Sequence, residues 1–87
     1  MEFEWDEKKS RANKSKHGID FNAAIKLWND PDRIEIQTNF TNEARNAMIG
    51  KIGDKLWTAI FTLRVDTIRL ISVRRARKKE TQLYEHK

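Results

Sequence analysis

A cluster of arginine and lysine residues follows the last apolar segment of the chain. Apolar and polar residues alternate from Ile68 to Val73, as in a strand, and five of the next six residues are Arg74, Arg75, Arg77, Lys78 and Lys79. Arginine grips a phosphate through parallel hydrogen bonds and stays charged at physiological pH. A strand that delivers cations to one edge of a small domain is therefore suited to hold the phosphates of a nucleic acid.

Cleavage of RNA is a reaction that such a cluster could catalyse without a cofactor, because the 2′-hydroxyl can attack the adjacent phosphate. The protein must place the backbone, stabilise the extra negative charge and move protons. Arginine side chains supply the charge stabilisation, and we take Arg64, Arg74 and Arg75 as catalytic candidates. The cations and the aromatic residue that we expect to bind RNA are Lys16, Arg69, Arg77, Lys78, Lys79 and Tyr84.

Proton transfer needs a different kind of side chain, and the candidates are His17, Glu80 and Tyr84. Histidine is the residue type that most readily gains and loses a proton near neutrality. Each candidate also has a structural interpretation: His17 as a helix-end residue, Glu80 as an ion-pair partner and Tyr84 as part of the core. Arg74 and Arg75 could equally form a DNA-binding or partner-binding patch. Adjacent residues on a strand point to opposite faces, so these two are not expected to share one role.

Motifs of other enzyme classes are missing from the sequence. There is no cysteine, which excludes disulfides, thiolate metal sites and a cysteine nucleophile. There is also no glycine-rich phosphate loop, no pair of histidines at metal-ligand spacing and no Ser-His-Asp set. We therefore expect neither a metal nor another cofactor.

Length and composition favour a single domain over residues 1–87. The chain has 87 residues, of which 38% are hydrophobic and 36% charged, and its formal net charge is +5. This length allows one modest core, and no apolar run approaches the roughly 20 residues that span a bilayer. The first six residues, MEFEWD, do not resemble a signal peptide, so we expect a cytoplasmic protein without membrane contact.

The excess positive charge lies in two blocks. Five basic residues lie between Lys8 and Lys16, and seven lie between Arg64 and Lys79. The five basic residues between these blocks are offset by six acidic ones. If the fold brings the blocks together, they form one electropositive face for a nucleic acid or an acidic protein. The alternative is two separate solvated surfaces.

The first third of the sequence predicts a short strand and two helices. Phe3 and Trp5 alternate with acidic residues, and Asp6 then suits the N-cap of a helix that ends at Lys16 or His17, with Gly18 in the left-handed position. Ala12 is the only apolar residue of this helix. We therefore expect the helix to pack through Trp5 and through the aliphatic parts of its lysine side chains. Asp20 caps a second helix, whose core stripe is Phe21, Ala24, Ile25 and Trp28 and which ends at Asn29-Asp30-Pro31.

The remainder predicts a four-stranded antiparallel meander and a short helix, and hence an α+β fold. The strands begin near Arg33, Ala47, Leu56 and Ile68, with a polar loop over residues 38–43. A two-residue turn at Val65-Asp66 places Arg64 opposite Thr67 and Thr62 opposite Arg69, in a hairpin at the centre of the sheet. The final helix runs from about Arg77 to His86, with one stripe formed by Ala76, Glu80, Leu83 and Tyr84.

Three segments resemble the BrnT family of bacterial type II toxins, and the resemblance covers almost the whole chain. They are FEWD near the start, N-x-x-KHG-x-x-F in the first helix and after it, and SVRRARKKE at the end of the last strand. The matched positions are Arg64, Arg74, Arg75, Glu80 and the segment Lys16-His17-Gly18. The sequence departs from the family at Val73, where a small residue is common, and at Val65-Asp66, where a glycine is usual.

The resemblance implies a compact fold similar to RelE-type ribonucleases and a metal-independent RNase that blocks translation. It also implies a BrnA-type antitoxin, whose dimer binds two toxins in a complex that represses its own promoter through operator DNA. The residues leave two other functions open. One is a non-catalytic nucleic-acid-binding domain that acts in transcriptional repression, and the other is a basic surface that only docks an acidic antitoxin.

Overall fold

The computed structural model describes residues 2–38 and 45–86, which form one α+β unit. The predicted loop over residues 38–43 lies outside this range, except that Thr38 ends a strand. The elements are β1 (Glu2–Glu4), α1 (Glu7–His17), α2 (Phe21–Ala24), a 3-10 helix (Ile25–Asn29), β2 (Ile34–Thr38), β3 (Arg45–Ile52), β4 (Lys55–Arg64), β5 (Thr67–Arg75) and α3 (Lys78–Glu85).

The sheet has five strands and is mixed, because the predicted N-terminal strand joins the predicted four-stranded antiparallel meander. Strands β2 to β5 form the expected antiparallel series, and β1 adds to its end in the order β1-β5-β4-β3-β2. β1 runs parallel to β5, with Phe3 opposite Ile68. Parallel neighbours need a long connection, and here that connection is residues 5–66. β5 therefore lies inside the sheet, between the first strand and β4.

Local capping signals set the helix boundaries as predicted. Asp6 accepts a hydrogen bond from the Lys8 backbone N–H at 2.9 Å, and Gly18 ends α1 with φ of 82°. Asp20 accepts one from the Ala23 N–H at 2.8 Å and begins α2. The predicted second helix is one α-turn followed by the 3-10 helix. This tighter winding turns Leu27 fully into the core, whereas Ile25 and Trp28 of the predicted stripe are only partly buried.

Polar side chains anchor α1 to the rest of the protein. Ala12 is exposed, and the buried residues of the helix are Ser10 and Asn13. The Asn13 Nδ2 group donates to the carbonyls of Ile19 and Val73, both at 2.8 Å. Its Oδ1 accepts from the Val73 N–H at 3.1 Å. The Asn13 amide thus pairs with the β5 backbone beyond the point where β1 ends, as a neighbouring strand would.

A bulge in β5 decides which face of the sheet each of its last residues occupies. Phe61 of β4 lies opposite Leu70, but the preceding Ile60 lies opposite Ser72, so Ile71 is the extra residue. The side-chain alternation shifts by one there. Val73 consequently stays on the same face as Leu70, and Arg74 lies on the opposite face.

The two faces of the sheet differ in what covers them. On one face, which we call the helix face, residues of β4 and β5 pack against Phe21, Ala24 and Leu27 to form the core. The other face, which we call the α3 face, is covered at one end by α3. Its residues on β4 and β5 include Thr58, Ile60, Thr62, Arg69 and Arg74.

Candidate functional site

Arg74 and Glu80 form a bidentate ion pair at the junction between β5 and α3. The Arg74 Nη1 atom lies 2.7 Å from Glu80 Oε1, and Nη2 lies 2.8 Å from Oε2. The two side chains are only 19% and 18% exposed. Oε1 also accepts from the hydroxyl of the fully buried Thr58 at 2.9 Å and from the Arg77 backbone N–H at 2.7 Å. The guanidinium is therefore held in one orientation by a carboxylate that is itself held by two further donors.

This geometry determines the protonation of both partners. The hydrogen bond from Arg74 is the main cause that lowers the Glu80 pKa from 4.5 to about 2; burial opposes it, and the donors from Arg77 and Thr58 add to it. The same hydrogen bond raises the pKa of Arg74. Glu80 is thus a carboxylate at neutral pH and a poor proton acceptor. Its position suits it to orient Arg74.

Glu80 also begins helix α3. Arg77 is the N-cap residue, and Glu80 at the third helical position accepts the Arg77 N–H, as in a capping box. One carboxylate therefore sets both the start of the last helix and the orientation of the arginine on β5. Any change that moves α3 must act on Arg74 as well.

Arg75 lies apart from Arg74, on the helix face. It is opposite Trp57 in the register, and its guanidinium carbon lies 5.5 Å from the centroid of a Trp57 ring. The predicted separation of the two arginines is confirmed by the register and by these partners. Arg77, Lys78 and Lys79 are exposed just beyond the end of β5.

Arg64 and Arg69 lie toward the other end of the same hairpin. The predicted pairs Arg64–Thr67 and Thr62–Arg69 are both present. Arg69 Nη1 lies 2.6 Å from Glu4 Oε2, so this cation is paired with β1. Arg64 is six positions along β4 from Thr58, which is opposite Arg74. Arg64 and Arg74 are therefore about 20 Å apart along the α3 face.

The first basic block approaches β5 through α1. Asn13 holds the helix against Val73, and His17 follows Asn13 by one helical turn on the same side. His17 is half-buried, while Lys16 is exposed. The fold therefore joins the end of α1 to the strand that carries Arg74 and Arg75.

Tyr84 makes a structural contact on the inner side of α3. Its hydroxyl donates to Asp30 Oδ2 at 2.7 Å, and Asp30 also accepts the Lys51 N–H at 2.8 Å. Burial, followed by the hydrogen bond to Asp30, raises the pKa of Tyr84 to about 12. The phenol therefore keeps its proton at neutral pH. The predicted α3 stripe is divided: Glu80 and Tyr84 contact the rest of the protein, whereas Leu83 is 51% exposed.

Three residues of this region were not identified as site residues from the sequence. Thr58 is one of two threonines in the largely apolar strand β4, and nothing local marks it as a partner of Glu80. Asn13 stands in the N-x-x-KHG motif, and its burial in a very polar helix is the signal that could have revealed it. Arg45 begins β3 just before Asn46, whose partner is Phe61, so it lies beside Thr62 on the α3 face.

Within residues 2–38 and 45–86, no group of three or more His, Asp or Glu side chains is arranged to hold a metal ion. In the same described ranges, no helix is both long and apolar enough to cross a membrane.

Residues 5–80 match the sequence model of a family described as "Ribonuclease toxin, BrnT, of type II toxin-antitoxin system". The chain belongs to the BrnT family. The match covers most of the chain and spans α1, the meander and the Arg74–Glu80 pair. This BrnT chain is thus a member of a ribonuclease toxin family, and a type II system implies an antitoxin partner. No curated protein has significant sequence similarity to it.

Proposed function

We propose that this BrnT protein is a metal-independent endoribonuclease that cleaves RNA in the cytoplasm and so inhibits translation. The observation that supports this most directly is the rigid placement of Arg74 by Glu80 at the end of β5. The exposed cations Arg77, Lys78 and Lys79 follow immediately and are suited to track an RNA backbone. The family match supports a ribonuclease toxin, and the resemblance to BrnT toxins implies a RelE-like mode of action.

Arg74 has donors left for a phosphate after it has paired with Glu80. A guanidinium carries five N–H groups, of which two point to Glu80 and one, on Nη1, points to the Arg75 carbonyl at 3.4 Å. The remaining two are on Nε and Nη2, side by side. They form a second fork of the kind that binds two phosphate oxygens. Glu80 thus orients the fork, and the fork stabilises the negative charge that grows as the 2′-oxygen attacks phosphorus.

Three residues were predicted to transfer protons, namely His17, Glu80 and Tyr84, and they differ in how well they suit that role. The pKa of Glu80 at about 2 and that of Tyr84 at about 12 make both poor at exchanging protons near neutrality. We assign the general base to His17, because it is half-buried at the end of α1 on the helix that Asn13 holds against β5. It would take the proton from the 2′-hydroxyl as the 2′-oxygen bonds to phosphorus. The bond from phosphorus to the 5′-oxygen would break and that oxygen would take a proton from water, which leaves a 2′,3′-cyclic phosphate and a 5′-hydroxyl.

The partner in this proposal is a BrnA-type antitoxin. A dimer of the antitoxin would bind two toxin chains, and the complex would repress its promoter through operator DNA. The net charge of +5 supports a partner with an acidic toxin-binding segment. The other cations along the hairpin, Arg64 and Arg69, would extend the RNA-binding surface on the α3 face.

The decisive experiment is RNA cleavage by the purified chain in the presence of EDTA. We expect the parent to cleave RNA and the double variant Arg74→Ala plus Arg75→Ala to lose activity by about a hundredfold or more. Arg74→Lys keeps the charge but loses the fork, so it should also lose activity while staying folded. Lys26→Ala, a change at an exposed cation of the 3-10 helix, is the matched control and should cleave like the parent.

A second candidate function is favoured by one observation. Glu80 and Tyr84, two of the three residues predicted for proton transfer, are engaged by Arg74 and by Asp30, which suits a basic domain that binds nucleic acid or antitoxin without catalysis. That function predicts salt-sensitive binding with RNA still intact after long incubation. Activity of the double variant equal to the parent, either in vitro or as growth arrest on induced expression, would refute the proposed site.

A further inference from the structure

Helix α3 has an outer stripe that the ribonuclease proposal does not use. Lys79, Gln82, Leu83 and His86 are spaced i, i+3, i+4 and i+7, so they lie on one side of the helix. Together with Ile34 of β2 they line a groove of about 690 Å³. Glu80 and Tyr84 lie on the inner side, where they contact Thr58, Arg74 and Asp30. The helix thus stands between the Arg74 site and this groove.

The groove combines an apolar floor with a rim on which Lys79 is the one Lys or Arg residue of the lining; we call this edge the basic rim. Leu83 is 51% exposed and is one of three large hydrophobic residues exposed to this degree among the described ones. Ile34 is half-buried beside it, and Lys79 places a cation at the edge. A binding surface of this composition fits a segment that offers both apolar side chains and carboxylates.

The strand next to the groove offers a second point of attachment. β2 is the last strand of the sheet, and within residues 2–38 and 45–86 it pairs only with β3. An edge strand presents backbone N–H and C=O groups to which an extended segment can add. Such a segment would project alternate side chains toward Ile34 and Leu83.

We propose that this groove binds an extended, acidic and apolar segment of the antitoxin, laid along β2 and against the outer side of α3. The proposal depends on the proposed function only in taking the occupant to be the antitoxin. RNA fits the groove less well, because the lining contains one cation, Lys79, and no Phe, Tyr or Trp ring on which a base could stack. A second copy of this chain fits less well because it brings a net charge of +5 to a basic rim.

Binding there would act on the Arg74 site through α3. The occupant would cover Lys79, one of the cations proposed to track RNA. It would also lie against the helix whose capping carboxylate, Glu80, orients Arg74. The antitoxin could therefore neutralise the toxin without entering the place of the scissile phosphate.

The test measures binding of the product of the gene adjacent to the one that encodes this chain. Leu83→Gln removes the apolar contact in the groove at an exposed position that tolerates a polar residue. We expect the Kd to rise by about ten- to a hundredfold, the range for losing one buried leucine contact. Val65→Thr is the matched control, because Val65 is 92% exposed at the tip of the β4–β5 hairpin. It should bind like the parent.

Two further measurements complete the test. Raising NaCl from about 0.1 to about 0.5 M should weaken binding if carboxylates meet the basic rim. RNA cleavage by Leu83→Gln without antitoxin should equal that of the parent, because Leu83 has no proposed role in catalysis. Unfolding midpoints of both variants show whether they are folded.

Equal affinities of Leu83→Gln and Val65→Thr would overturn the proposal, and so would a parent that does not bind the adjacent gene product. A Leu83→Gln change that alters self-association, or RNA binding, instead of antitoxin binding would assign the groove to another occupant and also overturn it. The two proposals can fail separately. Antitoxin binding that depends on Leu83, with no RNA cleavage by the parent, would support the groove and refute the enzyme.

Discussion

Replacing Glu80 by glutamine tests the central physical claim about the site, namely that this carboxylate is held charged by Arg74. The change keeps the size of the side chain but removes its charge. The folded protein lowers the pKa of Glu80 from 4.5 to about 2. At 1.36 kcal/mol for each pKa unit, this corresponds to about 3 kcal/mol of folding free energy at neutral pH. This free energy is an upper limit, because the side chain is still 18% exposed and solvent screens its interaction with Arg74.

The sign of the pH dependence follows from the direction of the shift. Glu80 has a lower pKa in the folded chain than in the unfolded chain. Its contribution to folding stability is therefore fully present above the unfolded pKa of 4.5 and is lost as the pH falls toward 2. The glutamine variant lacks this contribution at every pH. We expect its free energy of unfolding to be about 2 to 3 kcal/mol below that of the parent at pH 7. The difference should shrink to a small value near pH 2.

The assay is urea denaturation of both proteins at pH 7, 4.5, 3 and 2, analysed with the same slope of free energy against urea concentration. Glu35→Gln, a change at an exposed residue of β2, is the control and should stay within about 0.5 kcal/mol of the parent. The reasoning would be refuted by a Glu80→Gln variant as stable as the parent at pH 7. A stability difference that did not change between pH 7 and pH 2 would refute it equally.

Three substitutions test other parts of the fold by thermal unfolding. Asn13→Asp replaces two donated hydrogen bonds by contacts between a carboxylate and the carbonyls of Ile19 and Val73. We therefore expect the free energy of unfolding to fall by about 3 kcal/mol. An unchanged unfolding midpoint would show that this amide does not hold α1. Gly50→Ala places a Cβ 3.0 Å from Leu27 Cδ2 and 3.3 Å from the Leu27 carbonyl oxygen. We expect this crowding to lower the free energy of unfolding by about 1 to 2 kcal/mol, and an unchanged midpoint would show that the 3-10 helix moves away. Asp66→Gly should raise stability by up to about 1 kcal/mol, because residue 66 has φ of 61°; a lower midpoint would contradict the strain argument.

Much of the site could be predicted in outline, because the basic residues after β5 are contiguous and the hairpin register follows from a two-residue turn. What the residues do there could not be predicted as well. Glu80, taken as a candidate for proton transfer, has its carboxylate occupied by Arg74, Thr58 and Arg77. Tyr84, taken as an RNA contact, has its hydroxyl on Asp30, which is 54 residues away. Thr58 and Asp30 come from distant parts of the chain, and no local pattern encodes their contacts, whereas Arg74 and Arg77 are only six and three residues from Glu80.

The sequence by itself determined the features that depend on neighbouring residues. The start of α1 at Asp6 and its end at Gly18 follow from capping chemistry, and the order of elements follows from apolar periodicity. The motifs around the KHG and SVRRA segments likewise carried the family resemblance that the match over residues 5–80 confirms.

Only the tertiary structure decided how β1 and α1 are placed along the last strand and which face of the sheet Arg74 occupies. The parallel pairing of β1 with β5 joins residues 65 positions apart, and the docking of Asn13 on Val73 joins residues 60 positions apart. The bulge at Ile71 depends on the match between β4 and β5, not on any residue that forces it. Without that one extra residue, Arg74 would point to the helix face and could not meet Glu80. The face of the sheet on which Arg74 lies is therefore a consequence of long-range packing. The presence of the cations at the end of the strand, by contrast, can be read from the sequence.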